Sequence, residues 1–417
     1  MILLKNIFTS IDIGSDSIKV VTCELYNNKL NLLAASSVKS KGIKMGMITN
    51  PSEASASIRK CLDEVESMLG ITIKKVIASV PSNFAEFTFI KGDVEISNDT
   101  GLIESENIVE VLQIAMDSKL TIDKEMVTII PIDFRVDGVD NISNPLGKAG
   151  KNLSTRAIMV TTPKRNIFSV VSVLEDVGVD VVDIMINSIG DINSLKNRAT
   201  DGKIGAIINI GAEVMNVALY NKNIIVKNSI IGIGSKELDK AISSTYQIDW
   251  KEARKVKEKF ALAHKKYANV SDFYEVTNLL NEDIKINQYE VSELCMRKLE
   301  EIIDFAMREI KLLSNKELDY IIFTGGISMM THFDYLIKEK CGKIADTGMM
   351  RIIGVRNNMF SSSVGNIIYF ITKLKLKGKD YSMVSSKDME NLSSRKNSAS
   401  ISSDSMLGKV VEYFFGE

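Results

Sequence analysis

The sequence predicts an α/β fold built from two similar halves with a cleft between them. Three observations point to it. The segment IDIGSDSIKV at 11–20, strand–glycine turn–strand, is echoed by INIGAEVMN at 208–216. Each copy opens a run in which strands and helices alternate, as a layered α/β half requires. A third glycine turn, YIIFTGGIS at 320–328, reads as strand, double glycine, helix start.

Taken in order, IFTSIDI, IKVVTCELY and KLNLLAASS read as three strands, turned at Gly14–Ser17 and at Asn27-Asn28. NPSEASASIRKCLDEVESMLG reads as a helix with Asn50 as N-cap, Pro51 in the first turn, Glu53 completing a capping-box pattern and Gly70 as the stop. Ile58, Cys61, Leu62, Val65, Met68 and Leu69 are expected on its buried face. KKVIASV is a further buried strand. From about Phe84 to Arg165 the pattern shifts to a small α+β insert, with a helix over 105–117. Helices near 166–176 and from Ser188 then flank the strand VDVVDIMI. The second cycle starts at Lys203, and residues 235–313 are expected to be largely helical. RIIGV is read as a last strand and SSSVGNIIYFITKL as a last core helix. After Lys379 the chain is serine-rich and reads as disordered.

Composition excludes several functions. Lysine plus arginine total 52 against 53 aspartate plus glutamate, so no basic surplus favours nucleic acid. Cys23, Cys61, Cys295 and Cys341 are scattered without a C-x-x-C pair, which suggests neither zinc nor disulfides and fits a reducing cytoplasm. His264 and His332 are the only histidines, and histidine catalysis is not expected. MILLKNIF is too short for a signal peptide. No stretch approaches the ~18 apolar residues of a membrane span, so any membrane contact is expected to lie on the surface.

Strand–glycine turn–strand exposes backbone N–H groups at a tight bend, a concavity that suits phosphate. Two such hairpins plus a Gly-Gly turn resemble the actin-like ATPase superfamily. The resemblance implies an actin-like two-domain fold of duplicated RNase H-like halves. It implies ATP with magnesium in the cleft: Gly14 and Ser15 at the phosphates, Lys19 facing phosphate, Asp12 holding magnesium through water, Gly211 in the second loop, and Gly325 and Gly326 bracketing the adenosine. The second hairpin departs from the superfamily's D-x-G-G-G-T-T-D. Asn209 and Asn216 replace aspartates, and Ala212 and Glu213 replace glycines. Asparagine neither neutralises magnesium nor acts as a base. An inward Glu213 would oppose a γ-phosphate by ~4 kcal/mol at 4 Å and an effective dielectric near 20, whereas an outward one would cost little. Weakened nucleotide binding and little or no hydrolysis are expected, with no catalytic residue assigned.

The inserts narrow the family. GIKMGMITNPSEASASIRKCLDEVESMLGITIKKVIASVPSNF at 42–84, IPIDFRVDGVDNISNPLGKAGKNL at 130–153 and RIIGVRNNMFSSSVGNIIYF at 351–370 resemble the bacterial cell-division protein family FtsA. The implied organisation is domain 1A at 7–83 and 166–201, the FtsA-type insert 1C at 84–165, domain 2A at 202–229 and 314–374, a helical lobe 2B at 230–313, a disordered linker at 375–403 and an amphipathic helix at 404–417. The implied role is a tether that holds filaments of the tubulin-like protein FtsZ to the inner membrane face at the division site. The partners would be the FtsZ C-terminal peptide on the helical lobe, further copies of the chain in filaments, and other division proteins. In that lobe EVSELCMRKLEEIIDFAMREIK is a long amphipathic helix. Leu294, Leu299, Ile302, Ile303 and Phe305 are expected to supply its apolar contacts, and Arg297 matches a partner-contact position of the family.

The tail SDSMLGKVVEYFFGE completes the reading. On a helical wheel Met406, Leu407, Val410, Val411, Tyr413, Phe414 and Phe415 fill one broad arc, and Asp404 or Ser405 can cap the start. Such a helix is either a lipid anchor or a piece of core; behind a leash it fits an interfacial anchor. Half-burial of these side chains gives ~5–10 kcal/mol before the cost of folding, a reversible attachment. The tail carries one lysine against Asp404, Glu412 and Glu417, so the KLKLKGK run at 373–379 is the candidate source of attraction to anionic lipid. Two alternatives stay open: a PilM-like pilus-assembly protein, which lacks this tail, and a small-molecule kinase of the same superfold, which needs an acidic base.

Overall fold

The computed structural model describes residues 6–116, 121–350, 352, 354, 355, 357–389 and 392. In the first half, β1 (Ile7–Ile13), β2 (Ser17–Tyr26) and β3 (Lys29–Lys39) form an antiparallel meander. Every residue of β1 is buried because helices cover both faces of the sheet. A small hairpin, β4 (Ile43–Lys44) and β5 (Met47–Ile48), leads into α1 (Pro51–Leu69). Asn50 Oδ1 accepts from the Glu53 amide at 3.4 Å, and Gly70 closes the helix in the left-handed region. Met68, expected on the buried face, is 61% exposed: it lies at the rim of the arc centred on Ile58, Leu62, Val65 and Leu69. β6 (Lys75–Val80) then pairs in parallel with β1.

The insert consists of β7 (Glu86–Glu95), α2 (Ser105–Met116), β8 (Lys124–Val136), β9 (Val139–Ile142) and β10 (Asn152–Pro163). Its sheet runs β7-β10-β8-β9, and α2 packs on β7 and β10. Ile103, Ile108, Val111, Phe134 and Leu153 form a small core of their own. The chain returns through α3 (Lys164–Asp176), β11 (Asp180–Ile186) and α4 (Asn187–Leu195).

The second half repeats the first. β12 (Ile204–Ile210), β13 (Met215–Asn221) and β14 (Ile224–Ile231) form the meander. After α5 (Lys236–Tyr246) and α6 (Trp250–Lys259) the chain makes a two-stranded hairpin, β15 (Phe273–Thr277) and β16 (Asp283–Asn287), before α7 (Gln288–Leu313). This hairpin corrects the expectation of a largely helical stretch. Its period-2 signal spans only five residues per strand, with Tyr274, Val276, Ile284 and Ile286 turned to the core. On α7, Phe305 also differs from expectation: it is exposed, with the Arg308 guanidinium 5.1 Å from its ring centre. β17 (Tyr320–Thr324), α8 (Phe333–Cys341) and β18 (Ala345–Thr347) follow, and α9 (Ser361–Leu376) closes the fold. The last strand is β18, not RIIGV; of that segment the described residues Ile352 and Val355 form an isolated bridge.

The sheet orders β3-β2-β1-β6-β11 and β14-β13-β12-β17-β18 correspond strand for strand: three antiparallel, then two parallel. Between the sheets the two helices change sides. α4, from the first half of the chain, packs against α9 and reaches β12 and β14, while α9, from the second, lies on β1, β2 and β6. Their backbones touch at Gly190 and Gly365, where a Cβ on Gly365 would fall 1.7 Å from the Gly190 carbonyl oxygen.

The expected linker begins later than residue 375. β6 pairs with β1 only from Ser10, which leaves the start of β1 open on that side. Residues 382–383 fill the gap. The Ile7 amide donates to Ser382 Oγ at 3.1 Å, and the Met383 amide donates to the Ile7 carbonyl at 2.9 Å. Met383 and Leu392 are buried, and the Tyr381 ring meets Phe370 edge-on. Serine-rich composition hides these apolar anchors, which need only a few positions to hold the strap. The rest of the linker and the terminal helix lie outside the described residues. Met383→Asp is expected to lower stability by about 2–4 kcal/mol in denaturant unfolding, whereas Lys387→Asp on the exposed side of the strap stays within about 0.5 kcal/mol.

Candidate functional site

Two glycine turns face each other across a cavity of about 780 Å3 between the halves. They are built alike. Gly14 N–H donates to the Ser17 carbonyl at 3.2 Å, and Gly211 N–H donates to Val214 at 3.0 Å. The strand registers match too: Asp12 lies opposite Lys19, and Asn209 opposite Asn216. The third turn follows β17. Gly325 takes φ +90°, and a Cβ there would sit 2.5 Å from the Ile210 carbonyl, so glycine is required where this turn abuts the second hairpin. Gly326 has open space around it. The structure thus brings Asp12, Gly14, Ser15, Lys19, Asn209, Gly211, Ala212, Glu213, Asn216, Gly325 and Gly326 to one cavity. Arg297 is not among them; it is exposed on α7. Met406, Leu407, Val410, Val411, Tyr413, Phe414 and Phe415 lie outside the described residues.

The charges at this cavity are arranged in pairs. Lys19 Nζ donates to Asp12 Oδ2 at 2.9 Å, and Asn187 Nδ2 donates to Asp12 Oδ1 at 3.2 Å. Arg254 of α6 grips Asp16 with two bonds of 2.6 and 2.8 Å, joining the second half to the first. Burial raises the Asp16 pKa, but the bonds and charge of Arg254 outweigh it and the net direction is down. Lys257 pairs with buried Asp239 at 2.8 Å. Glu213 points inward, which decides between its two expected orientations. Its Oε1 accepts from Lys236 Nζ at 2.6 Å, and its Oε2 from the Met45 amide at 2.8 Å. Partial burial raises the Glu213 pKa; the Lys236 bond, the Met45 amide, the Lys236 charge and the Ser15 hydroxyl together pull it below the usual value.

At the floor, where α4 and α9 cross, Asp191 accepts from Ser361 Oγ at 2.7 Å, Ser362 Oγ at 2.8 Å and Asn209 Nδ2 at 2.8 Å. Asn209, expected only as a degraded aspartate, is therefore a donor to a buried carboxylate. Burial pushes the Asp191 pKa up, to about 6, against the three hydrogen bonds and with help from the charge of Asp12. Asp16, Lys236, Arg254 and Asp191 are the residues that sequence reasoning missed. Asp16 stood in a visible turn, but Arg254 is 238 positions away in the chain, and nothing local marks it.

No group of three or more metal-ligating side chains occurs among the described residues. Asp12 lies on β1 just before the first turn and lines the cavity, where it would hold magnesium through water. The backbone turns and basic side chains fit phosphate oxygens. Asn187 and Asn216 each carry a buried side-chain oxygen without a protein donor.

The comparisons with known proteins agree with this geometry. A model described as SHS2 domain inserted in FTSA matches residues 86–161, and one described as cell division protein FtsA matches 206–365. The first coincides with the insert sheet, the second with the repeated half. The chain belongs to the FtsA family of cell division proteins. FtsA of Bacillus subtilis is 25% identical over 377 residues, spanning 90% of this chain and 86% of that protein. FtsA of Streptococcus pneumoniae is 26% identical over 358 residues, spanning 86% and 78%. Among solved structures, a PilM–PilN type IV pilus biogenesis complex matches with TM-score 0.58 at 13% identity, covering 87% of this chain and 98% of that one. MreB5 of Spiroplasma citri bound to ADP matches with TM-score 0.54 at 13% identity, covering 90% and 99%. These structures establish the actin-like fold that this FtsA-family chain shares.

Two outcomes follow from the site. Asp191 has a folded pKa above its unfolded value, so its contribution to stability is complete below about 4 and is lost as pH rises through about 6. Relative to Asp191→Asn, the native chain should gain about 2–3 kcal/mol between pH 7.5 and pH 4 in paired denaturant titrations. A double-mutant cycle of Asp16→Asn and Arg254→Ala should return a coupling of about 1–2 kcal/mol, and less at high salt.

Proposed function

We propose that this chain is a cell-division adaptor of the FtsA type. It holds a nucleotide in the interlobe cleft and docks the C-terminal peptide of FtsZ on the helical lobe at 230–313. The residues at 404–417 attach it to the inner face of the membrane at the division site. The observation that carries the reading is the insert: a four-stranded sheet with one helix, placed between β6 and α3 and matched to the domain inserted in FtsA. The organisation follows as 1A, 1C, 2A and 2B, with α4 and α9 exchanged between the halves.

Several observations support the parts. No described helix is long and apolar enough to cross a membrane. In this reading attachment rests on the apolar residues from Met406 to Phe415. Self-association strengthens a reversible anchor, because neighbouring copies bind the membrane side by side. The cleft serves a structural or switching ligand rather than rapid turnover. Its carboxylates Asp12, Asp16 and Glu213 are each held by a basic side chain, and Asp191 is enclosed by hydroxyls and an amide. None of them is a free base, which also argues against the kinase reading. The pilus-assembly reading shares the fold, and the match of the insert to FtsA favours division over it.

Deleting 405–417 should abolish co-sedimentation with liposomes containing anionic lipid while FtsZ-peptide binding persists; continued sedimentation with vesicles would refute the anchor. Arg297→Glu should weaken FtsZ-peptide binding about tenfold in a fluorescence-polarisation titration, and an unchanged affinity would remove this face of α7 from the docking surface.

A further inference from the structure

The Glu213 carboxylate occupies an unusual place for a side-chain anion. It sits in the second glycine turn, directed into the cavity, and takes hydrogen bonds from both halves of the molecule. The Met45 amide reaches it from the β4–β5 hairpin of the first half, and Lys236 reaches it from α5 of the second. The Ser15 hydroxyl, which also accepts from the Gly46 amide at 2.7 Å, is among the groups that stabilise the anion. A backbone amide, a hydroxyl and an ammonium converging on one point form a donor set that suits a phosphate group.

The neighbouring charges reinforce the point. Arg254 is spent on Asp16, Lys257 on Asp239 and Lys19 on Asp12. With Lys236 on Glu213, four basic side chains lining the cavity already carry a carboxylate partner. Glu213 and Asp16 each bridge the two halves across the cleft. A third phosphate entering between the turns would meet these carboxylates in a partly buried setting, where like charges are weakly screened. A shorter ligand would leave both bridges intact, and the cavity volume is ample for it.

We propose that the Glu213 carboxylate stands in for a terminal phosphate, so that the cleft accepts a nucleoside diphosphate and discriminates against a triphosphate. This rests on the reading that the cleft holds a nucleotide, and it assigns that site its ligand class. Glu213 is a specificity-determining residue here and closes the cleft on a diphosphate.

The test uses the full chain with magnesium and two fluorescent probes, labelled ADP and a labelled non-hydrolysable ATP analogue. Each is titrated against the native protein, Glu213→Gln and Glu213→Gly. The native protein should bind the diphosphate at least about tenfold more tightly, and both variants should bring the two affinities within about threefold. Hydrogen exchange supplies a readout independent of affinity. Without ligand, the Met45 amide should exchange at least about tenfold faster in Glu213→Gly, and the triphosphate analogue should restore its protection where the diphosphate does not. Equal affinities in the native protein, or a ratio untouched by either variant, would overturn the proposal while leaving the nucleotide site in place. Failure of both probes to bind any of the three proteins would overturn the nucleotide reading itself, and the proposal with it.

Discussion

The contact between Gly190 and Gly365 governs the arrangement of the two halves. No side chain larger than hydrogen fits there, since a Cβ on Gly190 would meet the Ser362 carbonyl at 2.3 Å. This close approach lets α4 and α9 cross backbone to backbone and settle each on the sheet of the opposite half. Tyr220 of the second sheet then donates to the Ser188 carbonyl of α4 at 2.7 Å, and Asn366 of α9 donates to Ser79 of β6 at 3.0 Å. The halves are laced together by buried polar bonds that exist only because the helices sit this close. The spacing of the glycine turns, and so the width of the cleft, follows from it.

The same crossing builds the floor of the site. Asp191 follows Gly190 directly, and Ser361 and Ser362 open α9, so the shared helix contact carries its polar network with it. Asn209 reaches down to Asp191 from the second hairpin. Its change from the superfamily's aspartate removes a carboxylate that would otherwise stand beside a buried one. An amide can donate to Asp191, whereas a second anion would repel it. The second loop is therefore not simply eroded. Its residues are refitted to a floor whose buried carboxylate has its pKa pushed up to about 6.

Above the floor the cleft is governed by paired charge. A guanidinium–carboxylate fork between Asp16 and Arg254 and a carboxylate bridge at Glu213 tie the lobes across the gap. Both are partly shielded from water, so each is worth more than an exposed pair. The strap at 380–389 binds at the end of β1 away from the Gly14 turn, completing the open start of that strand. Tyr381 and Met383 anchor the strap to the body.

Much of the architecture was legible in the sequence, because it is written in local signals. Glycine turns between apolar strands announced the repeated halves, and Asn50, Pro51 and Gly70 marked both ends of α1. These features depend on backbone preference and burial period, which a short window contains. The short hairpin at 273–287 was missed because five alternating residues per strand give a weak period inside a helical neighbourhood. The strap was missed because its few apolar anchors are diluted by serine. What only the tertiary structure decided was partnership. Whether Glu213 faces in or out, which cation neutralises Asp16, and how Asn209 serves Asp191 depend on groups 18 to 238 positions apart. Electrostatic and hydrogen-bond energies fall off with distance in space and are blind to distance along the chain. The sequence by itself therefore determined the elements and the family, and the packing of α4 on α9 decided the chemistry of the cleft.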